Sequence, residues 1–183
     1  MSFEIVKRSV TLTGITPLMF DKFIGQEEIP VEQKLYLAPD KETLCLRASN
    51  IMGMLASKSS NSCLRQFVSN KDWKIIEPIL RSSVIVTPEY IPIMDNGEAI
   101  LFHDWSEKVY VDERMARPSS TARVIARRPM CALPWSMFFN IAINESEKIK
   151  EGMIRDWFER GGFLVGVGAG TTIGYGRFTV EIV

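Results

Sequence analysis

The fold is decided by residues 136–183, which read SMFFNIAINESEKIKEGMIRDWFERGGFLVGVGAGTTIGYGRFTVEIV. Apolar and polar side chains alternate over 136–143, a pattern that predicts a β-strand. A four-residue periodicity of apolar side chains follows and predicts a helix with one buried stripe. The stripe consists of Ile149, Met153 and Trp157. A glycine-rich turn then leads into a second alternating stretch at 177–183, so this part of the chain predicts strand, helix and strand.

Short motifs set the expected ends of that helix. Asn144 followed by Glu147 is a capping-box pattern, with Asn in the place of Ser or Thr, and it predicts the start of the helix. The pair Gly161 and Gly162 predicts its end.

The first part of the chain repeats the same order of elements. Alternating and β-branched stretches predict strands, and Ser49 is positioned to cap a helix. The elements predicted here are strands at 5–13, 44–47 and 83–87, helices at 50–58 and 63–68, and a short helix within 31–37. With a further strand at 123–128, the order predicts an α+β fold of the ferredoxin-like or RRM-like kind. In that β-α-β-β-α-β arrangement both helices lie on one face of an antiparallel sheet.

Length and composition fit one domain. The chain has 183 residues, of which 46% are apolar and 24% charged, values typical of globular proteins. We predict a single domain over 1–183 with an insertion at about 88–122. A turn at Asp95-Asn96-Gly97 lies in the insertion, which we expect to be otherwise irregular with short strands at 99–102 and 109–111.

The distribution of charge singles out the end of this insertion. Basic and acidic residues balance at 22 each, yet no acid occurs over 114–144. The arginines of this stretch are Arg114, Arg117, Arg123, Arg127 and Arg128. Arginine pairs with phosphate oxygens and stacks on bases, so the stretch predicts a basic nucleic-acid-binding face. The alternative is a solvated loop whose arginines meet carboxylates elsewhere, for example in the acidic segment 21–42.

Residues 166–178 form the most informative motif and hold five of the 12 glycines. Glycine adopts positive φ easily and exposes its amide, so such a loop can surround an anion. Thr171, Thr172 and Arg177 add donors that suit a phosphate backbone. The alternative is that the glycines only let the chain reverse and pack tightly. No Gly-Lys-Ser/Thr occurs, and the loop follows a helix, so neither a P-loop nor a dinucleotide-binding turn is predicted.

This motif carries a resemblance to a known family. A helix, Gly-x-Gly-x-Gly, then Gly-aromatic-Gly-Arg-Phe and a final strand is similar to the glycine-rich loop of the RAMP superfamily. Segments 14–19 and 47–55 are also similar to backbone-type members. The superfamily includes CRISPR backbone subunits and guide-RNA-processing endonucleases, and the chain also resembles small phage and prophage proteins of this design. The resemblance implies a ferredoxin-like domain with a finger-like insertion that holds single-stranded RNA or DNA.

Together these observations predict a non-catalytic protein that binds single-stranded nucleic acid, RNA more than DNA. The predicted contacts are Gly166, Gly168, Gly170, Thr171, Thr172, Gly174, Tyr175, Gly176, Arg177, Arg114, Arg117, Arg123, Arg127, Arg128 and Arg47. Contacts from several arginines would make the affinity fall steeply with salt. The acidic segment of one copy could also meet the arginines of the next in a head-to-tail assembly, alone or with CRISPR-like subunits.

Two alternative functions stay open. Guide-processing relatives use a histidine near the first helix as general base, and the predicted first helix has none. An endoribonuclease would therefore have to use His103, the only histidine, with Tyr175. The third hypothesis is a protein-binding module that mimics or joins a CRISPR complex.

The remaining composition predicts neither metal nor membrane chemistry. Cys45, Cys63 and Cys131 lack metal-ligand spacing and resemble ordinary buried thiols, which favours a reducing compartment. No apolar run approaches the ~18 residues of a membrane span. We expect a cytoplasmic protein with no cofactor, no metal and no membrane partner.

Overall fold

The computed structural model describes residues 5–22, 29–116 and 124–183. The strands are β1 (Ile5–Gly14), β2 (Leu18–Met19), β3 (Cys45–Arg47), β4 (Val84–Thr87), β5 (Tyr90–Asp95), β6 (Glu98–Ala99), β7 (Val109–Ala116), β8 (Val124–Cys131), β9 (Ser136–Asn144) and β10 (Phe178–Ile182). The α-helices are α1 (Ala48–Ala56), α2 (Cys63–Phe67), α3 (Trp73–Ser83) and α4 (Glu151–Leu164), and 3-10 turns occur at Val31–Lys34 and Thr171–Ile173. The predicted α+β class is confirmed.

A seven-stranded antiparallel sheet forms the centre of the molecule. Its strand order is β10-β1-β9-β5-β3, with β4 also paired to β9 and β6 to β5. Strands β1 and β9 pair over nine residues, from Ile5 opposite Asn144 to Thr13 opposite Ser136. β4 and β5 follow each other along the same side of β9, at Asn140–Ile143 and at 136–137.

The helices cover one face of this sheet. Val10, Leu12 and Phe139 are buried in one cluster with Leu55 and Phe158 from α1 and α4. The Phe139 and Phe158 rings are 6.0 Å apart. Alternate residues of the same strands, such as the half-exposed Phe138, point to the other face. Period-two alternation thus places one side of each central strand in the core.

A smaller three-stranded sheet of order β2-β8-β7 adjoins the main one. Its hairpin pairs β7 with β8 so that Asp112 lies opposite Arg128 and Glu113 opposite Arg127. The sheet is attached to the 166–178 loop, because the Ala169 amide donates to the Met19 carbonyl oxygen at 2.8 Å.

Several sequence-based expectations about local structure are wrong. The last helix begins at Glu151, because the Glu145 carboxylate accepts the Glu151 amide proton at 2.7 Å and Lys150 before it is extended. Gly161 and Gly162 lie inside this helix. Their missing side chains let it approach Cys63 Sγ and the Phe178 backbone.

Two further elements differ from the sequence-based expectation. Helix α3, which contains Pro78, was not predicted. The turn predicted at Asp95-Asn96-Gly97 is confirmed, but it closes a β5–β6 hairpin whose first strand lies in the segment expected to be irregular.

In the described ranges, no helix is long and apolar enough to cross a membrane.

Candidate nucleic-acid interface

A groove of about 380 Å³ lies between α1 and the glycine-rich loop. We call it the glycine-loop groove. Its lining residues are Ser49, Asn50, Gly53, Met54, Ser57, Ser59, Asn61, Gly166, Val167, Gly168, Gly170, Thr171 and Thr172. Five of the predicted contacts therefore meet here, and none of the described lining residues carries a charge. A separate cavity of about 270 Å³ shares Asn50 and Gly168 with the groove and is also lined by Asp21, Tyr36 and Ala169.

Left-handed backbone conformations shape one wall of the groove. All five loop glycines have positive φ, from 63° at Gly170 to 95° at Gly174. Three of them also allow close packing against backbone atoms: a Cβ on Gly166 would lie 2.9 Å from the Gly176 oxygen, and one on Gly168 would lie 2.7 Å from the Met19 oxygen. A Cβ on Gly176 would overlap the Val167 oxygen. The packing interpretation of these glycines is thus correct for part of the loop.

The loop amides divide into an occupied and an unoccupied set. The amides of Val167, Ala169 and Gly176 donate to Gly176 O, Met19 O and Pro17 O at 2.8–2.9 Å. Four others donate to no acceptor in the part of the chain that the structure describes. These belong to Gly168, Gly170, Thr171 and Thr172. All four residues line the groove, so the unoccupied donors are concentrated there.

Polar side chains on the opposite wall use their oxygens within the protein. Asn50 Oδ1 accepts the Arg47 amide proton at 2.9 Å. Ser57 Oγ accepts from the Ser59 amide at 3.1 Å, and Ser59 Oγ accepts from the Asn61 amide at 3.4 Å. A hydroxyl or amide group whose oxygen already accepts a bond has its protons left to donate. These three side chains are thus left as neutral hydrogen-bond donors on this wall.

Arg177 lies behind this wall. Its Nη2 donates to Thr171 O at 2.8 Å, and its Nη1 is buried without a hydrogen-bond partner in the described residues. Burial lowers the pKa of Arg177 from its ordinary value, although a guanidinium remains charged in proteins. Within those same residues it forms no salt bridge, so its positive charge adds to the potential behind the groove.

The arginines of the β7–β8 hairpin do not form the free basic face that the sequence predicted. Arg114 binds Asp112 at 2.5 and 2.8 Å, Arg127 pairs with Glu113 at 2.8 Å, and Arg128 pairs with Asp21 at 2.8 Å. Hydrogen bonding from Arg114 holds the pKa of Asp112 below its usual value. The alternative of a surface neutralised by carboxylates is correct for these three side chains, and none of them lines the groove.

The other predicted contacts lie apart from the groove or outside the described residues. Arg47 stacks over the Tyr90 ring at 5.4 Å. Tyr175 accepts a hydrogen bond from Arg114, whose guanidinium lies 5.0 Å from the Tyr175 ring centre. Gly174 borders open space. Arg117 and Arg123 lie outside the described residues.

Groups with reactive chemistry lie elsewhere. His103 is exposed on the loop after β6 and does not line the groove. All three cysteines are buried and free, and burial raises the pKa of the Cys63 thiol to about 12. Over 5–22, 29–116 and 124–183, no cluster of three or more His, Cys, Asp or Glu side chains could hold a metal ion.

Sequence reasoning missed the wall that faces the glycines. The sequence pattern predicts only helices at 50–58 and 63–68 here, although seven of the fourteen residues 49–62 are Ser or Asn. Such a run of neutral polar side chains beside a helix is the signal that could have indicated a binding wall. The segment is held by Ser62, which is fully buried and whose hydroxyl donates to Ser57 O at 2.7 Å.

Comparison with known proteins gives no family assignment. No protein-family model matches the chain, and no curated protein matches it. The functional assignment therefore depends on the chemistry of the groove.

Proposed function

We propose that this protein binds single-stranded nucleic acid, RNA in preference to DNA, by its sugar–phosphate backbone and without cleaving it. The observation that carries the proposal is the concentration of unoccupied donors in the glycine-loop groove. Phosphate oxygens only accept hydrogen bonds, and backbone amides and hydroxyls are common partners for them. Ribose 2′-hydroxyls can both donate and accept, which gives this polar groove more contacts with RNA than with DNA.

The sheet topology supports a RAMP-like, ferredoxin-like domain. If β4 and β5 act as one interrupted strand, the order β10-β1-β9-β4/β5 is that of a β-α-β-β-α-β unit. Helices α1 to α3 then form the first crossover and α4 the second. We accordingly propose one domain over 1–183 with a finger at about 88–122 that continues into β8, in a cytoplasmic protein.

The dependence of affinity on salt tests where the nucleic acid binds. Neutral donors release no counterions, so if Arg177 is the one cation of the described residues that contributes, we expect log Kobs to fall with log salt at a slope of about −0.7. Binding through three hairpin arginines would give a slope of about −2. Fluorescence anisotropy with a labelled single-stranded RNA, titrated between about 50 and 300 mM salt, measures this slope.

Arg127→Glu provides the matched control for that titration. Arg127 and its partner Glu113 are both at least half exposed, and exposed ion pairs contribute little. We therefore expect the variant to leave both the affinity and the slope nearly unchanged. If log Kobs falls steeply with log salt, and less steeply in Arg127→Glu, the nucleic acid binds at the hairpin and not in the groove. Failure of the wild-type protein to bind any single strand would reject the proposal.

The absence of titratable side chains from the described lining of the groove supports binding rather than cleavage, because general acid–base catalysis needs such a group beside the strand. The endoribonuclease hypothesis would need His103 and Tyr175 together. Tyr175 is held by Arg114, and His103 lies on a loop that contacts Glu42 through Phe102. No observation favours that alternative.

A protein-binding role has one specific observation in its favour. Met115 and Ile125 lie opposite each other in the hairpin register and are 66% and 68% exposed. Of the charges proposed for head-to-tail contacts, Arg128 and Asp21 pair within one chain. If the hairpin binds another copy or a CRISPR-like subunit, this apolar pair is its contact.

We expect Met115→Ser combined with Ile125→Ser to abolish self-association, or association with a purified subunit, while RNA affinity is unchanged. Sedimentation velocity after nuclease treatment measures the association. Gly53→Glu in the groove is the reciprocal control and should affect only RNA binding. An assembly that persists in the double serine variant would contradict this role for the hairpin.

A further inference from the structure

Asn61 connects the two walls of the glycine-loop groove. Its Nδ2 donates to the Thr171 hydroxyl oxygen at 2.5 Å and lies 3.4 Å from the Val165 carbonyl oxygen. A carbonyl oxygen can only accept, so the amide nitrogen of Asn61, not its oxygen, must face this side. Thr171 is also held through its carbonyl oxygen by Arg177. Both polar oxygens of Thr171 are therefore occupied from within the protein.

These bonds leave the Thr171 hydroxyl with its proton to donate. A threonine hydroxyl has one proton to donate, and its oxygen already accepts from Asn61. The proton has no acceptor in the described part of the chain and Thr171 lines the groove. Next to it are the unoccupied amides of Thr171 and Thr172.

We propose that Asn61 is a positioning residue that makes the Thr171 hydroxyl a hydrogen-bond donor to an oxyanion in the groove. The ligand group recognised is a phosphate oxygen, and the inference rests on the proposed function. Asn61 itself acts through Thr171. The Asn61 amide donates to the Thr171 oxygen and so leaves the Thr171 proton for the ligand. A side chain at position 61 that accepts a hydrogen bond would take that proton instead.

Asn61→Asp tests the polarity directly. A carboxylate cannot donate to Thr171 and would accept its hydroxyl proton, which turns the donor away from the ligand and adds a negative charge. We expect RNA affinity to fall about 30-fold or more. Asn61→Ala only frees the hydroxyl to rotate, so a loss of about fivefold is expected. Asn70→Asp, an exposed position outside the groove lining, is the control for the added charge.

Substitutions at Thr171 separate positioning from a structural role. Thr171→Ser keeps the hydroxyl and should bind RNA within about threefold of wild type. Thr171→Val keeps the shape and loses the donor, so affinity should fall about tenfold. In the Thr171→Val background, Asn61→Ala should cause no further loss, because its effect acts through the missing hydroxyl. A structural role alone would lower the unfolding temperature of these variants without this pattern in affinity.

A second ligand distinguishes failure of this inference from failure of the proposed function. If the wild-type protein and Asn61→Asp bind RNA equally, Asn61 has no positioning role and RNA binding still stands. If the wild-type protein does not bind RNA, inorganic pyrophosphate is titrated while the Thr171 and Thr172 amide resonances are followed by NMR. Shifts that are lost in Asn61→Asp support the inference without nucleic acid, and the absence of shifts in the wild-type protein overturns it.

Discussion

Gly53→Glu is expected to weaken RNA binding about 100-fold while the protein stays folded. Gly53 lies on the face of α1 that lines the groove, and a Cβ at this position would meet no atom within 4 Å. The longer side chain can therefore enter the groove without displacing the core. At ~5 Å and an effective dielectric constant of ~20, a carboxylate and a phosphate repel by about 3 kcal/mol. Each 1.4 kcal/mol changes the dissociation constant tenfold.

Three matched variants at the same position separate charge, volume and helix propensity. Gly53→Gln adds nearly the same volume without charge and should weaken binding much less. Gly53→Lys should bind at least as well as Gly53→Gln, because its charge attracts phosphate. Gly53→Ala should raise the free energy of unfolding by up to about 1 kcal/mol, since alanine favours the helix interior over glycine. Anisotropy titrations and urea unfolding measure both quantities, and equal affinities for Glu, Gln and Lys would exclude the groove as the binding site.

The position of Gly53 beside the groove gives a reason for a glycine in the interior of α1. An interior glycine makes a helix less stable than alanine would by about 1 kcal/mol. Gly161 and Gly162 in α4 have a packing reason, because Cys63 Sγ and the Phe178 backbone occupy the space of their side chains. Gly53 has no such neighbour. Its smallness keeps the groove open, which is consistent with a ligand there.

Elements with strong local periodicity were predictable from the sequence. Strands β1, β9 and β10 lie within one or two residues of their predicted bounds, because one face of each is buried and the alternation is strict. The 166–178 loop, which its glycines single out in the sequence, forms one wall of the groove. Its glycines all adopt the positive φ that glycine favours.

The predicted basic face is wrong because it rested on neighbours in sequence, whereas the arginines pair with carboxylates on the opposite strand of the hairpin and on a distant segment. The acid-free stretch begins at Arg114, directly after Asp112 and Glu113. The hairpin register places those two carboxylates opposite Arg128 and Arg127, and Asp21 approaches from a segment about a hundred residues away. A pairing register is set by tertiary structure, so a window of composition cannot show it.

The helix boundaries and the second groove wall could not be predicted for a related reason. Asn144 and Glu147 match a capping box, but Glu145 caps Glu151 instead and Ser146 binds the Ile149 amide at 3.1 Å. Asn61 faces Thr171 only because two segments 110 residues apart meet. Each of these local motifs has several possible partners, and packing selects among them.

Gly176→Ala should lower the free energy of unfolding by about 2–5 kcal/mol. Gly176 has φ +64°, and a left-handed conformation costs a residue with a Cβ about 1–2 kcal/mol. The new methyl group would also overlap the Val167 oxygen and lie 2.9 Å from the Val167 carbonyl carbon. Backbone atoms cannot move aside as a flexible side chain can, so overpacking adds about 1–3 kcal/mol. Urea unfolding measures the change against a total stability of about 5–15 kcal/mol.

Gly174→Ala is the control that measures the cost of the left-handed backbone conformation alone. Gly174 has φ +95°, but a Cβ there would meet no atom within 4 Å. Its substitution should therefore cost only the conformational part, about 1–2 kcal/mol. The excess loss in Gly176→Ala measures how tightly the loop is packed through the bonds from Val167 N to Gly176 O and from Gly176 N to Pro17 O. Equal losses for the two variants would mean that the loop relaxes freely, and a loop that relaxes freely could not hold four donors fixed towards a phosphate.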